Sequence, residues 1–459
     1  MQRITRQLHQ FRMDGFRFWF AALLSLTALL ATVGSVKAQG QGNAPAKREA
    51  PKELQIENEL ITEGEAADWR KKERNNFNKA LNEGKVNNTT KPKVADGVRI
   101  LVHELSLKSR RDTISDVRKK VIRDTDPPAK GQQMRELVMS EIVKRAEELL
   151  AGNLHVRMQA VLLISELNID PGQFPRKPPI AYVQGVSVLI DVVDPPAGAI
   201  VQPQAIRVLA ARGIARLLRE GRQSLPANQK LTPEIAARLL SQLKQQNKLP
   251  NNQKQHPWYT KVLMDALVET AVTVVAEGDN APRPLIVETL AQFLADTRQP
   301  YEVRTHAMYC LGRAPMPGGI NAAPIAWAAS QLAAQIATDI NQGKINGNQG
   351  FFLLQSIYYG YKPENANEMT TDGRSKAGLT NSLAGQPILA AYRDFLVLFN
   401  GVLKLVADNN RIIAAPQAIQ TLRQAQKPAN MAVAAGGPPI VPPQNPPNPG
   451  GNAPNGPGN

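Results

Sequence analysis

The chain has 459 residues and a formal net charge of +16, with 55 Lys and Arg against 39 Asp and Glu. Hydrophobic residues make up 42% of it but aromatic residues only 5%, so a core must be built mainly from small and branched aliphatic side chains. The single cysteine, Cys310, excludes an internal disulfide, an iron–sulfur cluster and a zinc site made of cysteine pairs. We interpret Cys310 as a core residue, because a buried free thiol behaves as a small hydrophobic group.

Residues 1–38 have the pattern of a secretory signal peptide. Four arginines precede an uncharged run, rich in Leu and Ala, over residues 18–36. Val36 and Ala38 lie where a signal peptidase reads small or aliphatic side chains, so we predict cleavage after Ala38 and export to the bacterial periplasm or beyond. The alternative is an uncleaved membrane anchor, because residues 18–36 are just long enough to cross a bilayer.

Residues 39–93 are polar and charged, and we predict a linker there with one short helix. From Val94 the apolar residues recur at three- and four-residue spacing, which predicts consecutive helices up to about residue 425. No second apolar run of membrane-spanning length follows the first, and no segment alternates as a strand would. Residues 426–459 are rich in Pro, Gly and Asn and predict a disordered tail.

Three segments within the helical region share one spacing: aliphatic, Arg, two residues, Ala, three residues, aliphatic. Their defining residues are Val156, Arg157 and Ala160; Ile206, Arg207 and Ala210; and Val303, Arg304, Ala307 and Leu311. The first two copies start about 50 residues apart and the third about twice that distance further on. Self-similarity at this period predicts stacked helical hairpins.

The third copy carries a family resemblance. Residues 299–313, Gln-Pro-Tyr-Glu-Val-Arg-Thr-His-Ala-Met-Tyr-Cys-Leu-Gly-Arg, resemble a HEAT repeat of the variety first noted in phycobilin lyases. Residues 154–167 and 203–218 are similar with fewer matches. The resemblance implies an all-α fold in which hairpins stack into an irregular α-solenoid over residues 94–425. The chain departs from the family at the turn between paired helices, where Asn153, Pro203 or Pro300 replaces the usual Asp.

The repeated residues suggest structural roles. Ala160, Ala210 and Ala307 would let two helices approach closely. Each repeat arginine follows an inward-facing aliphatic residue and would lie at the edge of the core, so we predict that Arg157, Arg207 and Arg304 brace adjacent repeats. Contact of these arginines with a ligand is the alternative.

Signatures of catalysis and of metal binding are weak. The five histidines are scattered, and His103-Glu104 lacks the second histidine of a helical zinc-protease motif. The glycines of residues 343–348 do not follow the order of a phosphate-binding loop. We therefore predict no catalytic residue, no cofactor and no metal.

The basic residues near position 110 form the most distinctive charged segment. They are Lys108, Arg110, Arg111, Arg118, Lys119 and Lys120. They predict either a solvated helix face or a surface for an anionic partner. The export signal and the lack of interleaved aromatic residues argue against nucleic acid as that partner.

Taken together, these features predict an exported, non-enzymatic scaffold that binds another protein of the bacterial envelope through the concave helices of the array. This interpretation rests on analogy between folds. One alternative is an enzyme of the phycobilin-lyase type. The other is a binder of anionic envelope polymer through residues 108–120.

Overall fold

The computed structural model describes residues 58–126, 129–173, 177–224, 231–248, 257–276, 281–316 and 323–361. The predicted signal peptide (residues 1–38), the end of the predicted repeat region and the predicted tail (residues 426–459) lie outside the described residues. Over the described ranges the chain is mostly helical and its strands are confined to one short hairpin. The prediction of an all-α fold is confirmed.

The helices follow one another with short connections. They are α1 (Glu63–Lys72), α2 (Arg74–Glu83), α3 (Thr90–His103), α4 (Ile114–Thr125), α5 (Gln132–Glu148), α6 (Leu154–Glu166), α7 (Val186–Val193), α8 (Gln204–Gly221), α9 (Leu231–Lys248), α10 (Pro257–Glu269), α11 (Leu285–Ala295), α12 (Tyr301–Arg313), α13 (Ala323–Asn341) and α14 (Gly347–Tyr361). Strands β1 (Asn168–Asp170) and β2 (Ile180–Ala181) pair antiparallel between α6 and α7. Short 3-10 helices include Lys108–Thr113 and Leu149–Ala151.

Helices α1 and α2 belong to the folded core, which differs from the linker predicted for residues 39–93. Trp69 of α1 and Phe77 of α2 are buried, and their rings meet edge to face with centroids 5.6 Å apart. Phe77 lies against Gly97 of α3, where any Cβ would overlap the ring. The polar sequence around these aromatic residues obscures the apolar face, because α1 and α2 bury only a few side chains each.

From α6 onward the helices pack in a repeated order. The even-numbered helices α6, α8, α10, α12 and α14 contact one another in succession, and we call them the even row. The odd-numbered helices α7, α9, α11 and α13 do the same, and each packs against the even helix that follows it. Between the two sets lies one continuous core of mainly Val, Leu, Ile and Ala side chains. This is the kind of core that the low aromatic content predicts.

Helix ends follow local chemistry, with one departure from the sequence pattern. Helices α8 and α12 begin directly after Pro203 and Pro300, which need no amide donor there. Leu267, Ala271 and Val274 recur at helical spacing in the sequence, which predicts a helix that continues to Val274, but α10 ends at Glu269. Arg222 at the end of α8 donates to the Glu269 carbonyl oxygen (3.0 Å), and Ala271 has a φ of 55°. A contact from the neighbouring helix therefore accompanies the end of α10.

Among the described helices, none combines the length and the apolar character needed to span a membrane.

Candidate functional site

The three repeat arginines make the same contact in three hairpins. Arg157 Nε donates to the Gly152 carbonyl oxygen at 2.6 Å, directly after the turn that ends α5. Arg207 Nε donates to the carbonyl oxygen of Val193 (3.1 Å) and Arg304 Nε to that of Leu294 (3.0 Å). In the α7–α8 and α11–α12 hairpins the guanidinium holds the C-terminal end of the odd helix, and in the α5–α6 hairpin it holds the turn that follows α5. We call this contact the arginine brace.

The residues around the brace repeat as well. Gln202 and Gln299 each stand directly before the proline that opens an even helix. Gln202 Nε2 donates to the Leu150 carbonyl oxygen (3.2 Å), and Gln299 Nε2 donates to Asn247 Oδ1 (2.8 Å), so both tie a hairpin to the one before it. The predicted small and aliphatic repeat positions are all buried: Val156, Ala160, Ile206, Ala210, Val303, Ala307 and Leu311.

The predicted basic surface does not form one patch. Arg118 is buried, with 8% of its side chain exposed, and bonds to Glu166 of α6 at 2.8 Å. Lys119 lies 3.7 Å from Asp116 on its own helix. Lys108 and Lys119 are exposed, whereas Arg111 is half-buried. Side chains from α4 thus point both toward α6 and toward solvent.

Two of the predicted basic residues face a small cavity instead. Arg110 and Lys120 line a space of about 450 Å³ together with Arg70 and Glu104. Glu104 is almost fully buried, and its carboxylate meets Arg70 at 2.6 Å and Lys120 at 3.7 Å. Since a buried carboxylate needs compensating cations, these two charges have a structural use.

A groove of about 1250 Å³ lies between α5 and the β1–β2 hairpin. Its lining is mixed, with Arg135, Glu136 and Asp170 beside Leu137 and Tyr182. Charges of both signs and several neutral amides share this lining, so the groove has no dominant charge.

A denser cluster of titratable groups lies on the even row, where α8, α10 and α12 meet. Glu269 of α10 has 8% of its side chain exposed and contacts Arg219 of α8 (3.0 Å) and Arg313 of α12. One turn earlier on α10, Asp265 Oδ1 lies 3.0 Å from His306 Nε2 and 3.7 Å from Cys310 Sγ. Arg313 Nη1 is 3.8 Å from the same Asp265 oxygen.

The cluster has defined protonation states. Burial, reinforced by the Asp265 carboxylate, raises the pKa of the Cys310 thiol well above its usual value. Burial also acts to raise the pKa of Asp265, but His306 and Arg313 outweigh it, and this pKa is lowered. At neutral pH the thiol is therefore protonated and the carboxylate ionised. A protonated, fully buried thiol is a poor nucleophile.

The donor set of this cluster is suited to a transition metal. The Asp265 oxygen, the His306 nitrogen and the Cys310 sulfur all lie within 4.8 Å of one another. Oxygen, imidazole nitrogen and thiolate sulfur are the three kinds of ligand that zinc takes in proteins.

From the sequence we predict no metal, because only two of the three possible ligands, His306 and Cys310, lie close together in it. His306 and Cys310 are four residues apart on a helix, which places both side chains on one face. Asp265 lies 41 residues before His306, in the preceding even helix. Only the packing of α10 against α12 brings it to the other two.

Comparisons of the chain with protein-family models, with curated proteins and with solved structures find no match.

Proposed function

We propose that the chain is an exported, non-enzymatic α-solenoid of HEAT-like hairpins that binds another protein of the bacterial envelope. The observation that carries the proposal is the arginine brace, which recurs with the same donor atom in the α5–α6, α7–α8 and α11–α12 hairpins. A contact that repeats with the sequence motif is typical of an array in which each hairpin packs only on its neighbours.

An array of this kind presents a long lateral surface to a partner. Val201, before α8, is 68% exposed, and Phe352 on α14 is 59% exposed. Phe352 also lines a cavity of about 150 Å³ with Lys261, Glu302 and His306. Aromatic residues are enriched in protein interfaces relative to the rest of the surface.

The contacts of the basic segment support a protein partner over an anionic polymer. Arg118 and Lys120 meet Glu166 and Glu104 within the molecule, which lowers the charge left for a polymer. The burial of Cys310 supports a binding function over a lyase-type activity, because its thiol would need access and ionisation to react.

Photo-crosslinking in source cells tests this proposal. The full chain, expressed with residues 1–38, would carry a photoreactive residue at Val201 or at Phe352. The control places it at Ser187, an exposed residue of the odd helix α7. We expect one discrete protein adduct from at least one test position in envelope fractions, none from Ser187, and a mature protein that begins at Gln39.

The outcomes separate the alternatives. An adduct whose yield is unchanged between low and moderate salt supports a protein partner. A heterogeneous adduct that disappears with moderate salt supports the anionic polymer, because contacts with a polyanion weaken steeply as salt rises. Retention of the chain in the cytosol with an intact Met1 would refute export.

A further inference from the structure

We propose that Asp265, His306 and Cys310 form a binding site for Zn²⁺ at the junction of α10 and α12, a role that goes beyond scaffolding. A tetrahedral zinc ion would place the imidazole nitrogen and the carboxylate oxygen ~3.4 Å apart, and the sulfur and the oxygen ~3.6 Å apart. The corresponding separations are 3.0 Å and 3.7 Å. The imidazole nitrogen and the sulfur, which lie within 4.8 Å of one another, would have to be ~3.6 Å apart, so His306 must move away from Asp265 while approaching or keeping its distance to Cys310.

The backbone already fixes two of the three ligands. His306 and Cys310 lie one turn apart on α12, so a single helix face presents both. Asp265 faces them from α10, in the interior of the even row rather than on a loop. A site carried by two packed helices holds its ligands in a defined geometry before the ion arrives.

The ligands themselves would neutralise a bound zinc ion, and Arg219 and Arg313 would then face the single carboxylate of Glu269 with one positive charge in excess. A thiolate and a carboxylate neutralise a divalent ion, and His306 contributes a neutral imidazole. Zinc would replace the 3.8 Å approach of Arg313 to Asp265, and Arg313 would keep its closer contact with the carboxylate of Glu269. Arg219 meets Glu269 from the other side, so this second carboxylate stays compensated.

The raised pKa of Cys310 describes the metal-free state, in which the proton occupies the position that the metal would take. Zinc binds the thiolate, so binding releases this proton and affinity rises with pH. The ion can reach the site from solvent, since the Asp265 and His306 side chains are 29% and 16% exposed. A water molecule would be the fourth ligand, as in zinc sites with three protein ligands.

The donor set selects the metal. A sulfur, a nitrogen and a single carboxylate oxygen suit Zn²⁺ and Co²⁺, whereas Mg²⁺ and Ca²⁺ require several oxygen ligands. We therefore expect Mg²⁺ and Ca²⁺ not to compete for the site.

Titration of the purified, untagged full chain with Co²⁺ tests the proposal. We expect one Co²⁺ per chain, the visible bands of a tetrahedral site and a thiolate-to-cobalt charge-transfer band, all abolished by one equivalent of Zn²⁺. Because Cys310 is the single cysteine of the chain, this charge-transfer band in the unaltered protein reports on that residue alone. The assignment therefore does not depend on whether a variant folds.

Variants then identify the other ligands. Cys310→Ala should lose the charge-transfer band, and His306→Gln should weaken Co²⁺ binding by about 100-fold or more, since changes even outside the ligand set cost 10- to 100-fold. His155→Gln, an exposed histidine of α6, is the matched control and should bind as the unaltered chain does. Zinc should raise the Tm of the unaltered chain and of His155→Gln only.

Two results would overturn the proposal. One is the absence of a charge-transfer band from the unaltered protein at saturating Co²⁺. The other is an equal rise in Tm with zinc in Cys310→Ala, which would assign binding to adventitious surface groups.

Discussion

In the even row, two neighbouring helix–helix contacts, which we call seams, are built from different groups. Between α12 and α14, Gly312 and Gly360 bring the backbones into contact, and a Cβ on Gly312 would overlap the Gly360 carbonyl oxygen. Between α10 and α12, the ionic side chains of Asp265, Glu269 and Arg313 lie in the seam. The glycine seam excludes any side chain at its closest point, whereas the ionic seam is built from side chains.

The difference matters for what each seam can do. Where Gly312 meets Gly360 the contact depends on shape, and no side chain there offers a donor atom to a ligand. An ionic seam contains charged side chains that need partners of opposite charge when they are buried. The same side chains can exchange a partner within the protein for a bound ligand. Metal binding on this face is therefore expected at the α10–α12 seam and not where Gly312 meets Gly360.

The largest effect is expected when the glycine seam is broken. Gly312→Ala should lower the free energy of unfolding by about 3 kcal/mol, because the added methyl group forces α12 and α14 apart and overpacks the seam. Urea unfolding followed by circular dichroism measures the loss. Gly64→Ala is the control, since the nearest atom outside α1 and its neighbours is 3.9 Å from the added Cβ. Equal stability of both variants would show that the backbones of α12 and α14 do not touch.

A substitution in the ionic seam should lower the free energy of unfolding by less than Gly312→Ala does. Glu269→Gln removes the negative charge but keeps the shape, and it leaves Arg219 and Arg313 facing each other across a neutral group. We expect a loss of about 2 kcal/mol, below the value for a fully buried pair because both arginines are partly exposed. The measurement is urea unfolding at low and high salt.

Glu65→Gln is the matched control for that seam. Glu65 pairs with Arg99 at 2.8 Å, but 41% of its side chain is exposed. We expect a small change that salt removes, as for other surface ion pairs. If Glu269→Gln behaves in the same way, the seam is no more than a surface contact and the contrast with the glycine seam is lost.

The local parts of this fold could be predicted from the sequence. Proline and the aliphatic-Arg pair fix the starts of α8 and α12, because both act within one helical turn. The seams could not be predicted. Gly312 meets Gly360, and Asp265 meets His306, and the members of each pair are so far apart in the sequence that one sequence alone does not show that they are in contact. The basic segment shows the same limit of prediction from sequence. Arg118 lies in a charged segment that is typical of a solvent-exposed surface, yet it is buried and bonds to Glu166 on another helix.

The arginine brace is the next largest expected effect. Arg304→Ala leaves the Leu294 carbonyl oxygen without its charged donor, and we expect a loss of about 1.5 kcal/mol. Arg298→Ala is the control, because Arg298 lies in the same hairpin but pairs with Asp296 at the surface. It should leave the urea midpoint unchanged. If the two variants lose stability equally, the brace does not hold the hairpin together, and the repeat motif needs another explanation.

The smallest expected effect concerns a third kind of seam, between α3 and α5, where His103 Nε2 lies 2.8 Å from Glu148. Burial lowers the pKa of His103, although Glu148 acts against it and the cations Arg145 and Arg99 act with it. The unfolded chain takes up a proton near pH 6.5, above the pKa of the folded state. His103 therefore stabilises the fold above about pH 6.5, and this contribution is lost as pH falls through the folded-state pKa.

His103→Gln removes the titration, so the stability gap between the unaltered chain and this variant should narrow from pH 8 to pH 5 in thermal unfolding. A gap that stays constant or widens over this range would show that His103 is not held neutral. This seam would then be ionic in the same sense as that between α10 and α12.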